Sequence, residues 1–244
     1  MLRGPSMDDA NRQLVKPRVH QQLVETLARA IMRGDFASML PSEPQLCEIY
    51  EISRSALREA VRVLTGKGLV TPRPHIGTVI RPREDWNMLD PDLLAWSTEG
   101  EPDAQMLRGL IEARQLIEPA AARFAAQRAA ASDLARIEKA FLAMSAAHEA
   151  NDFGGYIEAD KDFHISILKA SHNFVLQQLA TTMDAALSFF FRVTPRDFGR
   201  ALPMHGEIME LIRIRDADGA QAAMANLLNI TLEDVRHHRP DVAG

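Results

Sequence analysis

Residues 53–68 read SRSALREAVRVLTGKG, from Ser53 to Gly68. Threaded on a helix, the stretch separates into two faces. Leu57, Ala60, Val61 and Leu64 fall at helical spacing and form an apolar stripe. Arg54, Arg58 and Arg62 recur every four residues on the other side, with Ser55 and Glu59 beside them. Ser53 stands where an N-cap belongs. A helix pinned by one face and presenting three arginines on the other suits the phosphate-lined groove of a duplex. From the helix alone, a solvated charged face reads equally well, so the flanking sequence decides.

Upstream, Leu23, Leu27 and Ile31 repeat every four residues and predict an amphipathic helix over Val19–Arg33, which Gly34 can stop. The run Leu40-Pro41-Ser42-Glu43 comes next, and Ser42 is placed to cap a short helix over Glu43–Tyr50 with Leu46 and Ile49 facing inward. Cys47 reads as a small core residue of that helix. Glu51-Ile52 is a tight turn into the arginine helix, so the three pieces predict a helix-turn-helix. Downstream, Leu69-Val70-Thr71 and Thr78-Val79-Ile80 flank a Pro/Gly turn over residues 72–77, which predicts a hairpin. A hairpin directly after a recognition helix is a wing. Arg73 and His75 lie at its tip, and Gly77 allows the backbone to come close to a groove.

Charge is distributed unevenly. Residues 1–83 carry 13 Lys+Arg against 8 Asp+Glu, a net of +5, whereas residues 84–244 carry 15 against 25, a net of −10. A basic first third on an acidic remainder predicts two domains with different partners. One cysteine in 244 residues forbids an internal disulfide and fits a reducing, cytoplasmic setting. No run of about 18 apolar residues is present, so no membrane span is expected. Residues 1–16 lack an apolar signal core and read as a loose extension. Ala, Leu, Glu and Arg dominate over β-branched runs, so the fold class expected is mainly α. The domains expected are a winged helix-turn-helix over 17–83, a linker over 84–91, an antiparallel all-helical bundle over 92–238, and a tail over 239–244.

The order LPSE, SRSALREAVRVLTGKGLV and RPHIGTVI resembles the winged helix-turn-helix of GntR-type transcription regulators over about residues 17–83. The resemblance implies that Arg54, Ser55, Arg58, His75 and Gly77 contact double-stranded operator DNA. Ser53, Arg62 and Arg73 join them by position on the helix and the wing tip. The family usually has Arg directly after the LPSE glutamate, and this chain has Pro44, one cationic contact fewer.

Beyond the linker, Trp86, Leu89, Leu93, Leu94 and Trp96 predict a short helix that packs onto the helices C-terminal to it. Six longer helices are then expected: Ala104–Ala130, Ser132–Ala150 with a capping residue at its start, Phe153–Ser171, Phe174–Val193, Pro203–Arg215 and Ala217–His237. The inner stripe of the first is expected at Leu107, Leu110, Ile117, Ala121 and Phe124. Asp160 and His164 are four apart and share a face with Ile167 and Leu168, and His205 lines up with Ile208 and Ile212. A carboxylate and two imidazoles on inward faces suit a divalent ion such as Zn²⁺, the alternative being hydrogen-bonded core histidines. Arg114 also falls on an inner face, where an unpartnered guanidinium would be costly. It reads either as a structural pair with Glu118 or as a two-pronged receiver for a carboxylate ligand.

The pieces Glu112-Ala113-Arg114, Ile117-Glu118-Pro119, Asp160, Phe163-His164, Ser171-His172-Asn173 and His205 resemble the effector domain of the FadR subgroup over about residues 90–237. The runs WNMLDPDLLAW and HNFVLQQL look most like the members that answer to sugar acids such as galactonate. The resemblance implies a metal at Asp160, His164 and His205, an effector held by Arg114 and His172, and a homodimer. A fourth ligand histidine of the family is replaced by Leu227, which leaves positions open for water or an effector oxygen. The function expected is a ligand-responsive regulator, in the repressor mode, of a sugar-acid catabolic operon. A metal sensor and an all-helical metal hydrolase are the alternatives, and the hydrolase explains neither the arginine helix nor the wing.

Overall fold

A computed structural model describes residues 7–97, 104–193 and 198–238. The expected tail over 239–244 and residues 1–6 of the expected extension lie outside these residues. The chain forms two compact units, residues 1–100 and residues 101–244.

In the first unit α1 (Met7–Arg33), α2 (Glu43–Ile49) and α3 (Arg54–Gly66) precede a hairpin of β1 (Val70–Arg73) and β2 (Gly77–Ile80). The helix expected at Val19 starts at Met7, so residues 7–16 continue it instead of forming a loose extension. Their Ala, Arg, Gln and Leu are helix formers. Its inner face places Leu23, Leu27 and Ile31 in a core with Leu46, Leu57, Ala60, Leu64 and Leu69. Leu57 and Leu64 are fully buried; each contributes about 1.5–3 kcal/mol by leaving water. Ser42 caps α2, its backbone N–H donating to Gln45 Oε1 at 3.0 Å. Ile49, expected inside, is 62% exposed, because α2 ends there and the chain turns away. The turn is closed by Ile52 N–H donating to the Cys47 carbonyl, with Glu51 in the left-handed region at φ 51°. Cys47 is half-buried against the core, as a small core residue would be.

The end of α3 is a Schellman cap. Leu69 N–H donates to the Leu64 carbonyl and Gly68 N–H to the Thr65 carbonyl, with Gly68 at φ 80°. A Cβ on Gly68 would also sit 2.7 Å from the Asp85 carbonyl oxygen, so glycine serves both the cap and the passage of residues 85–87. The hairpin pairs Val70 with Ile80 and Arg73 with Gly77. Residues 38–40 add a third short partner: Leu40 N–H donates to the Thr78 carbonyl and Ile80 N–H to the Ser38 carbonyl.

The expected linker is not free. A 3-10 turn at Arg83–Asp85 and α4 (Pro91–Trp96) lie within the first unit, and Leu93 and Trp96 join its core. Asn87 N–H donates to the Lys67 carbonyl, and Trp86 Nε1 donates to the Arg81 carbonyl. Lys67 Nζ lies 2.7 Å from both Asp90 Oδ1 and Asp92 Oδ2. Residues 82–97 are therefore strapped to the end of α3. The boundary expected near residue 92 moves to about residue 100, and α4 packs onto the winged domain that precedes it.

The second unit is all helix: α5 (Ala104–Arg128), α6 (Ala131–Glu149), α7 (Phe153–Ala170), α8 (Phe174–Gln178), α9 (Ala180–Val193), α10 (Phe198–Arg213) and α11 (Ala217–His238). The short turns between α6 and α7 and between α10 and α11 join antiparallel neighbours. The helix expected over Phe174–Val193 is two helices broken at Leu179. The one expected from Pro203 starts at Phe198 and carries Pro203 inside. Ser132 is not the cap of α6. That role falls to Asp133, whose Oδ2 accepts from Ala130 N–H at 2.8 Å.

Candidate functional site

In the first unit the recognition helix stands as its two faces require. Leu57, Ala60 and Leu64 are buried, and Ser53, Arg54, Ser55, Arg58 and Arg62 are exposed. Ser53 Oγ accepts from Ala56 N–H at 3.2 Å, so this hydroxyl is occupied by the cap. The neighbouring backbone amides at the start of α3 form the positive end of the helix, the end that attracts phosphate. Arg58 meets Glu43 at 3.3 Å and Arg62 meets Glu59 at 3.7 Å, with side chains 69% and 82% exposed. Such exposed pairs are worth about 0–1 kcal/mol and yield easily to a phosphate. Pro44 occupies the first turn of α2, where its missing N–H costs nothing. On the wing, Arg73, His75 and Gly77 are all exposed. His75 has φ 62°, and Gly77 has φ 120° with the Met39 methyl 3.0 Å from where a Cβ would stand.

In the second unit Asp160 and His164 of α7 and His205 of α10 are all buried, and their ligand atoms lie within 4.8 Å of one another. His205 Nε2 is 3.1 Å from Asp160 Oδ1 and 3.4 Å from His164 Nε2; His164 Nε2 is 3.7 Å from Asp160 Oδ2. The outer nitrogens define the proton positions. His205 Nδ1 lies 2.8 Å from the Ala201 carbonyl, which only accepts, so Nδ1 carries the proton. His164 Nδ1 lies 2.6 Å from Glu118 Oε2, and neither atom has another hydrogen-bonding partner. A carboxylate at that distance requires the proton on Nδ1. Both Nε2 atoms therefore present lone pairs toward an ionised carboxylate. Three acceptors facing one point call for a cation. Their separations also bracket the roughly 3.3 Å edge of a tetrahedron with bonds of about 2.0–2.1 Å. The donor set fits a borderline divalent ion such as Zn²⁺. Leu227, at the position of the absent fourth ligand, is buried among apolar side chains of α11 and offers no donor.

Arg114 and Glu118 complete the cluster. Arg114 Nε donates to Glu118 Oε1 at 2.5 Å, and the guanidinium lies 5.3 Å from the centre of the Phe190 ring. Burial works to raise the Glu118 carboxyl, but Arg114 first and His164 second outweigh it and hold it at about 2. Burial likewise opposes ionisation of Asp160, and His164, His205 and Arg114 together keep it below its ordinary value. The buried face of α5 thus runs through Leu107, Ile111, Arg114 and Glu118, while Leu110, Ile117 and Phe124 are only half-buried. Hydropathy alone placed the stripe one position off, because it cannot score two charges that satisfy each other.

His172 does not join this set. It comes after the end of α7 at φ 48°, about 12 Å along the helix axis from His164 by residue count. Its side chain is 47% exposed, and its Nε2 lies 2.7 Å from Asp133 Oδ2. A carboxylate already engaged as a helix cap holds it, so the effector contact expected of His172 is not retained. Glu118 was the residue that sequence reading undervalued. The signal was its spacing, four residues after Arg114 and on the same face.

The description "Bacterial regulatory proteins, gntR family" matches residues 19–80, and the FCD domain matches residues 109–229. The chain is 36% identical over 213 residues to a galactonate operon transcriptional repressor of Escherichia coli strain K12, covering 85% of this chain and 92% of that one. A putative L-lactate dehydrogenase operon regulatory protein of the same strain is 32% identical over 84% of this chain and 80% of that one. Among solved structures, one whose title states that Lar controls expression of the Listeria monocytogenes agr system superposes with TM-score 0.62. It covers 89% of this chain and 96% of its own at 18% identity, a likeness of fold alone.

Proposed function

The chain belongs to the GntR family of bacterial transcription regulators and carries an FCD domain, and from this we propose that it is a repressor whose operator is released by a small hydroxy monocarboxylate. It is a regulator of transcription and not an enzyme, so the metal-hydrolase alternative falls. Operator contact is assigned to Arg54, Ser55, Arg58 and Arg62 of α3 and to Arg73, His75 and Gly77 of the wing. A second copy of the chain would supply the second recognition helix, since one helix reads only a half-site.

One observation carries the choice of ligand: the charges of the buried cluster. Arg114 and Glu118 cancel, and Asp160 leaves one negative charge beside two neutral imidazoles. A divalent ion at Asp160, His164 and His205 would turn that into one positive charge, which a single carboxylate balances. The ion would offer open positions to a carboxylate and an adjacent hydroxyl, and the outer nitrogens of Arg114 would hold the second carboxylate oxygen. Galactonate and lactate, acids that appear in the names of the two relatives, are both hydroxy monocarboxylates. We favour a sugar acid because the galactonate relative has the higher identity.

A thermal-shift panel of galactonate, lactate, a dicarboxylate and galactose, with and without Zn²⁺, tests this reading. Binding to the folded state raises the melting temperature by mass action. The expected result is a shift with the hydroxy monocarboxylates that grows when Zn²⁺ is present. A shift from galactose equal to that from galactonate would contradict the acid reading.

A further inference from the structure

We infer that Glu118 is a positioning residue for the metal centre: it fixes His164 for coordination while being fixed itself by Arg114. This rests on the reading of Asp160, His164 and His205 as ion ligands. Three observations support it. Glu118 is buried and spends one carboxylate oxygen on each neighbour, Oε1 on Arg114 Nε at 2.5 Å and Oε2 on His164 Nδ1 at 2.6 Å. His164 has no other anchor for Nδ1. His205, the other histidine of the set, is anchored differently, through the backbone carbonyl of Ala201.

The consequences differ for the two histidines. A carbonyl anchor belongs to the helix and survives any side-chain substitution nearby. A carboxylate anchor depends on one residue. Without it, the His164 ring is free to take the other tautomer, with the proton on Nε2 facing the ion position. Outer-shell carboxylates on ligating histidines raise ligand basicity as well as fixing orientation. Phe163 packs edge-on to both rings and limits their tilt, but an aromatic edge does not choose a tautomer. Glu118 is therefore the residue that makes His164 Nε2 an electron-pair donor. Arg114 then has two tasks. Its Nε holds Glu118, and its outer nitrogens remain for a ligand, so the effector contact and the metal ligand share one carboxylate.

The test uses the full-length metal-free protein and Co²⁺ alone, followed by its visible absorption and by titration calorimetry. Glu118→Gln preserves shape and removes the charge. We expect Co²⁺ affinity to fall about 10–100-fold and the absorption envelope to change. Because Glu118→Gln leaves Arg114 uncompensated, the double variant Arg114→Gln/Glu118→Gln is measured beside it. That variant removes one charge of each sign, so an effect of net charge alone would be small, whereas loss of positioning would persist at the same size. Melting in the absence of ion establishes that both variants are folded. Co²⁺ affinity and spectrum like those of the wild type in either folded variant would overturn the inference. Failure of the wild type itself to take up Co²⁺ would overturn the ligand reading and this inference together, which is a different result from an unchanged variant.

Discussion

The two units handle charge in opposite ways. In the first, the arginines of α3 stand in water, paired at most with exposed glutamates at 3.3 and 3.7 Å. In the second, Arg114, Glu118, Asp160, His164 and His205 are buried and answer one another. An exposed charge is cheap to hold and ready for an external phosphate. A buried charge is costly, and it persists only where every lone pair and proton has a counterpart. The single place where the counterparts fail, three acceptors around one point, is where an external cation belongs. Exposed surplus thus marks the DNA face, and buried deficit marks the ligand site.

The largest effect expected is on DNA. Arg58→Ala should weaken operator binding by about 10–100-fold per half-site, compounded over two half-sites, as read by anisotropy of a labelled duplex selected from a random pool. Wild-type affinity in this variant would remove α3 from the groove and leave its arginines a solvated face.

His164→Ala should come next in size. It deletes a ligand rather than an outer-shell partner, so ion affinity should drop by more than the about 10–100-fold expected of Glu118→Gln. Metal analysis of protein purified without chelators, wild type beside variant, reads it directly. Equal metal content would make the three residues a structural cluster and erase the contrast between the units.

Arg114→Lys is smaller, since a positive charge remains but the fork is lost. About tenfold more galactonate should be needed to displace the duplex, the worth of one charge-assisted hydrogen bond. Unchanged release would reduce Arg114 to the partner of Glu118.

Lys67→Met probes the strap. Lys67 is mostly buried between Asp90 and Asp92, and the substitution leaves both carboxylates without their cation. The urea midpoint of the full chain should fall by an amount equivalent to about 1 kcal/mol, because Asp92 is exposed and water takes over part of its contact. The mildest effect is with acid. Glu118 and Asp160 titrate below their ordinary values, so the stability they lend is complete above the unfolded carboxylate range. It drains as pH falls from about 4.5 toward about 2 for Glu118. The urea midpoint of metal-free wild type should therefore decline more steeply below about pH 4.5 than that of the Arg114→Gln/Glu118→Gln variant.

The same contrast explains what the sequence could reveal. The first unit was legible nearly residue by residue, because its function rests on periodicity: Leu57, Ala60 and Leu64 inside, and Arg54, Arg58 and Arg62 outside. The turn at Glu51-Ile52 and the wing at residues 70–80 are local, and local signals survive in one dimension. Residues 82–97 misled because their two prolines and mixed charges look like a linker. The partner that fixes them, Lys67, is more than twenty residues away in the chain. In the second unit, Asp160, His164 and His205 were findable, since each lies on an inward face. Their protonation pattern was not, because it depends on Glu118 and on a carbonyl in α10. His172 shows the reverse case: a histidine in a matching motif that the fold turns outward to Asp133.

The most direct test joins both units in one titration. Galactonate is added to the wild-type protein on its selected duplex, once with Zn²⁺ and once after chelation, and anisotropy is recorded. Release is expected at low galactonate with Zn²⁺, and only at much higher concentration without it. Release at the same concentration in both, or release by galactose instead, would contradict a metal-assisted acid sensor coupled to the DNA face.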